Sequence, residues 1–270
     1  MADTVSDLWT DRRLSYRPWA GKTVQISALA SVIWAISTSV GAGWWALAII
    51  SYFAISCLGF AVCVHRGLCH RAFVMKVSVA RALSLVAALG MTGSPMGWIG
   101  THRTHHAHSD RPEDPHAPGD HGWWLLWTGP ELQIDWWRIR DMLRDPFQRW
   151  LHRYYFLIVA IWMLILIVIH PLALVFGFLI PAGLHVTTSN LSTILGHGYG
   201  YRNHDTQDGS TNNAILAVLT WGEGWHNNHH AHPMHWSLSE KWWEADPAGL
   251  CIRLMAAAGL IVRQSLREAN

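Results

Sequence analysis

The sequence predicts an all-α integral membrane protein, with four transmembrane helices in two hairpins joined to a polar helical cap. Three observations carry that reading. Two long stretches have no charged residue: Thr23 to Val64, 42 residues, and Tyr154 to Tyr201, 48 residues. The 270-residue chain is 51% apolar and only 14% charged, against roughly 25% charged in an ordinary soluble domain. It also holds 18 Trp and 18 His, and eight of the His fall in three short clusters outside the uncharged tracts. The apolar content excludes a disordered chain. Four Cys (Cys57, Cys63, Cys69, Cys251) form no CxxC pair and predict no disulfide framework. A net charge of +2 gives no ground for a nucleic-acid partner.

One membrane span needs about 20 apolar residues, so each uncharged tract holds a hairpin. In the first, Gly41-Ala42-Gly43 marks the turn and Trp44-Trp45 an interfacial pair. In the second, His170-Pro171 marks it. The predicted spans are 24–40, 44–64, 154–170 and 172–192, with the cap formed by 65–153 and 193–270 in a single domain, 1–270. Arg12, Arg13, Arg17 and Lys22 flank the first span, Arg66, Arg71, Arg103, Arg138, Arg140, Arg144, Arg149 and Arg153 lie between the hairpins, and Arg202, Arg253, Arg263 and Arg267 follow the second. The hairpin turns carry no charge, so the positive-inside rule makes the cap and both termini cytoplasmic. No apolar leader is evident in residues 1–22. Residues 77–99 form a further apolar stretch, interrupted by Arg81, Gly93 and Pro95, which reads as interfacial. The Trp pairs at 123–124, 136–137 and 242–243 suit either segments lying on the lipid surface or core packing.

The clusters are His65-Arg-Gly-Leu-Cys-His70, His102-Arg-Thr-His105-His106 and His226-Asn-Asn-His229-His230. The second and third share the spacing HxxHH. On a helix, positions i, i+3 and i+4 lie on one face, so each presents three imidazoles together. At this His frequency one HxxHH is expected about 0.08 times in such a chain, so two copies are not an accident of composition. His65 and His70, five apart, stand about 140° apart on an ideal α-helix. They must reach a shared site from different sides, or the helix must end there. Neutral imidazole suits iron, zinc, copper and nickel. Eight or more ligands exceed the capacity of one ion, which predicts a di-metal site in the cap. Cys69 has no second Cys placed to join it, and two His-rich ions at the membrane boundary suit iron and oxygen chemistry on a lipid.

These residues resemble the membrane-bound fatty acid desaturases, the stearoyl-CoA and bacterial acyl desaturase group. HRGLCHR is similar to the first histidine box, GTHRTHHAHSDRPEDPHAPGDHGWWLLW to the second with its following segment, GHGYGYRN to the pre-box segment with an extra His, and DGSTNN with LTWGEGWHNNHHAHP to the third box. The likeness covers roughly residues 44–235. It implies four spans beneath a cytoplasmic cap, and a non-haem diiron centre held by His65, His70, His102, His105, His106, His197, His226, His229 and His230. It implies an acyl chain lying in a tunnel beside two Fe, with O2 as co-substrate. The acyl group is carried by CoA, a carrier protein, a lipid or as a free acid. Electrons come from a separate protein such as ferredoxin, rubredoxin or cytochrome b5 with its reductase. Zinc can replace iron in purified protein, because the affinity order favours it. The location expected is a bacterial cytoplasmic membrane.

One position departs from the family pattern. Four residues before the extra His, where an Asn usually stands, this chain has Thr193. That departure keeps open the related diiron outcomes: hydroxylation, alkyne formation or decarboxylation to a 1-alkene. Asp110, Asp114, Asp208, Glu223, Asn227 and Asn228 are candidates to orient the imidazoles through their other nitrogen. Arg66 and Arg103, inside the boxes, are expected to pair with those acids. Gly196, Gly198 and Gly200 are expected to allow close packing around His197. His185, in the fourth span, is expected to hydrogen-bond a neighbouring helix. His108, His116, His121, His204, His232 and His235 read as surface or supporting residues. A haem carrier would need facing His pairs within the spans, and a transporter would need ligands at mid-membrane. Only His170 and His185 fall within the last two predicted spans.

Overall fold

A computed structural model describes residues 18–115, 119–128 and 135–264. Its regular structure is almost wholly helical. α1 is Pro18–Ser37. α2 runs Ala42–Cys69, α-helical over Ala42–Tyr52 and π-wound over Phe53–Cys69. After β1 (Phe73–Met75) come α3 (Val77–Ala88) and α4 (Pro95–His108). Short turns follow: Gly119–Trp124, α5 (Leu125–Thr128), Trp136–Ile139 and α6 (Arg140–Arg144). Then come α7 (Pro146–Arg153), α8 (Tyr155–Ile169) and α9, which spans Pro171–Leu195 with a π-wound turn at Val175–Leu179. α10 (Ala214–Leu219), α11 (His226–Ala231), α12 (Pro247–Ala257) and β2 (Ile261–Gln264) complete the described chain. Arg12, Arg13, Arg17, Arg267 and His116, and the side chains of His121 and Arg263, lie outside what is described.

Among the described residues, two helices are each long and apolar enough to cross a bilayer, α2 with 28 residues and α9 with 25. α7 and α8 make a third candidate if taken together, bent by 69° at their junction. α1 has the length but carries Lys22, Gln25 and three Ser, and is less apolar. The first turn lies earlier than the glycines suggest. α1 stops at Ser37 because the hydroxyls of Ser37 and Thr38 both donate to the Trp34 carbonyl at 2.8 Å, and Ser39 then takes a left-handed φ of 51°. Gly41 caps α2 and Gly43 sits within it. The second break falls at His170-Pro171: His170 is extended, its Nδ1 accepts from Leu172 N at 3.1 Å, and Pro171 opens α9.

α1 packs along the last part of α9. Gly183 makes that approach possible, since a Cβ there would collide with the Ala28 methyl and the Val24 carbonyl. Val24, Ala182, Val186, Leu151, Tyr155 and Val159 join one buried cluster that ties α1, α7, α8 and α9 together. α3 has only 12 residues, too short to span, and packs along α2. The all-α expectation needs one correction. β1 and β2 form a two-stranded antiparallel ladder, Phe73 opposite Gln264 and Met75 opposite Ile261. Phe73 and Met75 face the core beside Ala248 and Ile252 while Val74 is exposed, which is the alternation a half-buried strand requires.

Candidate metal centre

Ser94-Pro95 starts α4: Ser94 Oγ accepts from Gly97 N at 3.2 Å, and Pro95 occupies the first turn. The helix then carries His102, His105 and His106 on one face. α11 repeats the spacing with His226, His229 and His230. The five-residue gap in the first cluster is resolved by the π-winding of α2. His70 N donates to the His65 carbonyl at 3.0 Å, five residues back. In such a helix residues five apart stand one turn apart, so the two rings lie 4.8 Å apart. His197 follows the end of α9. Gly196 makes room there, because a Cβ would lie 2.8 Å from the His226 ring, and Gly200 because a Cβ would strike the Asn212 carbonyl. Gly198 is not tightly packed.

The nine histidines form two groups. His65, His70, His102, His106 and His229 make one; His105, His197, His226 and His230 make the other. In the first, Nε2 atoms are separated by 3.0 Å (His65 and His102), 3.1 Å (His70 and His102), 3.0 Å (His102 and His106) and 2.9 Å (His106 and His229). In the second the spacings are 3.3 Å (His105 and His230), 3.1 Å (His197 and His226) and 3.0 Å (His226 and His230). The rings of His106 and His230 stack at 4.5 Å, placing the groups side by side. A first-row ion bound at about 2.1 Å sets right-angled ligand atoms about 3.0 Å apart. The donor set therefore fits one such ion in each group. Cys69 belongs to neither.

Four rings are held at Nδ1 by carboxylates. Asp114 accepts from His105 at 2.9 Å, Asp110 from His197 at 3.0 Å and Asp208 from His230 at 2.7 Å, and Glu223 pairs with His65. Such contacts fix tautomer and ring orientation, leaving Nε2 free to ligate. Burial alone would raise the carboxyl of Glu223, but the adjacent His65 and Arg66 outweigh it and hold Glu223 at about 2. Burial and the neighbouring imidazoles push His102, His106, His226 and His229 well below their usual 6.5. All four are thus neutral at pH 7, the state in which imidazole binds a metal. The sign for stability follows: unfolded rings take up protons near pH 6.5 and the buried rings resist, so stability falls as pH drops below that value. Metal-stripped protein in detergent should therefore unfold at lower denaturant when moved from about pH 7.5 to about pH 5.5. An unchanged midpoint would contradict the buried, neutral state of these rings.

Arg66 and Arg103 pair with acids, as the sequence suggests, though partly with acids it does not single out. Arg66 bridges Glu223 and Asp246, and Arg103 binds Asp141 at 2.7 Å together with three backbone carbonyls. Asn227 and Asn228 require a correction, since among the described residues neither hydrogen-bonds an imidazole nitrogen. They point away from the histidine face of α11 and hold the 203–212 loop. Asn227 Oδ1 accepts from the backbone N–H of Asn203 and His204 at 2.8 Å, and Asn228 Oδ1 accepts from Asn212 Nδ2 at 2.7 Å. Asn228 Nδ2 also donates to Glu244, which the sequence reading missed.

A cavity with about 930 Å³ of empty space, part of it open to solvent, reaches both groups. Phe60, Trp98, Thr188, Thr193 and His185 line it beside His65, His102, His197 and His226. Its wall is less apolar than a hydrocarbon tunnel would suggest. The hydroxyls of Thr188, Ser192 and Thr220, however, donate to carbonyls four residues earlier in their own helices, which removes their demand for water. His185 differs from expectation: it is buried, and neither ring nitrogen has a hydrogen-bond partner among the described residues. Its ring instead packs edge-on against Phe60 at 4.6 Å.

Residues 42–250 match the fatty acid desaturase family. The chain belongs to that family. It is 35% identical over 214 residues to the sn-2 palmitoyl-lipid 9-desaturase of Nostoc sp. (strain 36), covering 76% of this chain and 74% of that one. It is 34% identical over 231 residues to the sn-1 stearoyl-lipid 9-desaturase of Anabaena variabilis, covering 82% and 84%. It is 29% identical over 279 residues to the icosanoyl-CoA 5-desaturase of Limnanthes douglasii, covering 93% and 74%. All three histidine clusters, His197 and the carboxylates that hold their rings lie within the family match. This desaturase is an oxidoreductase of fatty acyl chains.

Proposed function

We propose that this desaturase introduces a double bond into the acyl chain of a membrane lipid or acyl thioester, using O2 and a non-haem diiron centre. The observation that carries the reading is the pair of adjacent histidine groups, five and four rings, opening on one cavity. His65, His70, His102, His106 and His229 would hold one iron, and His105, His197, His226 and His230 the other. Zinc would occupy the same donors in metal-exchanged protein. When bound, the irons supply an oxidant able to remove hydrogen from an unactivated CH2, with electrons from a separate carrier such as ferredoxin, rubredoxin or cytochrome b5.

The protein's own part is positional. Asp114, Asp110, Asp208 and Glu223 hold four rings in one tautomer each. Phe60 and Trp98 line the cavity beside His65 and His102, and a chain carbon lying there would be the one attacked. The aromatic wall, and hydroxyls that donate within their own helices, leave few groups there to hold water. The names of the relatives support both a lipid and a CoA thioester as acyl carrier.

The proposed topology is two hairpins, α1 with α2 and α8 with α9, set in a bacterial cytoplasmic membrane. The cap and both termini are cytoplasmic. The exposed Ile26, Leu29 and Ile33 of α1, and Leu157, Leu164 and Val168 of α8, support it, because lipid rather than water is the medium such faces suit. The exposed Trp124, Trp137 and Trp242 suit the lipid interface.

Expression in a host lacking desaturases, followed by mass spectrometry of its lipids, tests the reading. The expected products are lighter by two hydrogens at constant carbon number. Thr193, on the cavity wall, gives the competing outcomes a definite position to act from. Hydroxylated chains, alkynes or chains shortened by one carbon would replace the desaturase reading with one of those.

A further inference from the structure

We infer that His204, His232 and Glu240 form a third metal site, separate from the nine histidines and open to solvent, which takes a zinc-class divalent cation. The three side chains come from different segments: the loop after α9, the C-terminal cap of α11 and the segment before α12. Their donor atoms lie within 4.8 Å of one another. His204 Nε2 is 2.7 Å from both oxygens of Glu240. The ring of His232 stands edge-on to that of His204 at 4.9 Å, and the ring of His235 stacks on His232 at 4.7 Å.

Each ligand sits on a fixed stretch of backbone. His204 is pinned through both its backbone N–H and its carbonyl to the side chain of Asn227. His232 N donates to the Asn228 carbonyl at 3.0 Å, and Glu240 N to Glu244 at 2.8 Å. The loop is therefore held without the three side chains, and their convergence is not needed to fold it. Bonds of about 2.0–2.1 Å set tetrahedral donors roughly 3.4 Å apart, so His204 and Glu240 part slightly and His232 closes on them, which small rotations of these partly exposed side chains achieve. The side chains of His204 and Glu240 are 30% and 28% exposed, so an ion reaches them from water.

Two imidazoles and a carboxylate, with a water as fourth ligand, make a tetrahedral set that suits zinc. The same loop presents Asp208 to His230, so an ion here would brace the support of the deeper centre from outside.

The test is titration of purified protein with Zn²⁺, its resident metal first quantified by mass spectrometry. Wild type should take up one further equivalent that a brief chelator wash removes, with the resident complement unchanged. Loss of an outer support already weakens metal binding about 10–100-fold, so loss of a ligand in H232A or E240Q should weaken this site by about 100-fold or more. H232A keeps the contact between His204 and Glu240, so it tests ligation rather than loop integrity. Zn²⁺ should also raise the unfolding temperature of wild type but not of either variant. The inference is overturned if wild type takes up no extra equivalent, or if both variants take it up as wild type does. Because resident metal is read separately, neither outcome bears on the diiron reading.

Discussion

His229→Ala will abolish double-bond formation while leaving the protein inserted in the membrane. His229 is buried, and its Nε2 lies 3.1 Å from that of His65 and 2.9 Å from that of His106. Truncation removes one of five converging donors and leaves a void in their midst. Loss of an outer partner of a metal ligand already costs about 10–100-fold, and loss of the ligand itself should exceed that. His105→Ala should do the same to the second group, where Asp114 would lose its contact with the ring as well. Two measurements check the result: lipid product by mass spectrometry, and metal per polypeptide in membrane-extracted protein. Turnover equal to wild type in either variant would remove that histidine from the proposed ligand set.

Arg66→Leu should be the most destabilising single change in the cap. Arg66 is 1% exposed, and all five of its N–H donors are used. Nε and Nη2 bind Glu223 at 2.9 and 2.8 Å, Nη1 and Nη2 bind Asp246 at 2.7 and 2.9 Å, and Nη1 binds the Trp236 carbonyl at 3.0 Å. Leucine would take the guanidinium away from two buried carboxylates, which costs about 3–5 kcal/mol. Glu223 also holds the His65 ring, so metal retention should fall together with thermal stability. Lysine, with three donors and no planar fork, should recover only part of the loss. A melting temperature within a degree or two of wild type for Arg66→Leu would show that the guanidinium does not carry this network.

The sequence is informative where chemistry repeats and where charge disappears. The two HxxHH spacings place six rings, and the structure seats them on α4 and α11 with their faces turned together. The uncharged tracts locate α2, α8 and α9, and His170-Pro171 marks a break because proline cannot continue a hydrogen-bond ladder. Four features escape such reading. The π-winding of α2 is invisible to a 3.6-residue count, so His65 and His70 look misaligned until the backbone is seen. Asn227 and Asn228 sit inside a histidine box, yet on a short helix the intervening positions face away from the metal donors and serve the loop instead. Asp246 lies 180 positions beyond Arg66, and Asp246-Pro247 reads locally as a helix cap, a role Asp246 also fills by accepting from Gly249 N. The β1–β2 ladder joins segments with no shared pattern, and only the closed chain reveals it.

The four carboxylates seated against the rings have an electrostatic consequence for the loaded centre. Two dications held there would bring four positive charges, the neutral imidazoles none, and Asp110, Asp114, Asp208 and Glu223 would return four negative ones. The loaded assembly would then be close to neutral as a whole and, at the edge of hydrocarbon, would need no mobile counter-ion, where an unbalanced charge would be expelled or would draw water in. Neutralising any one of these acids would leave the resting centre with a surplus of one unit, felt by both ions at once.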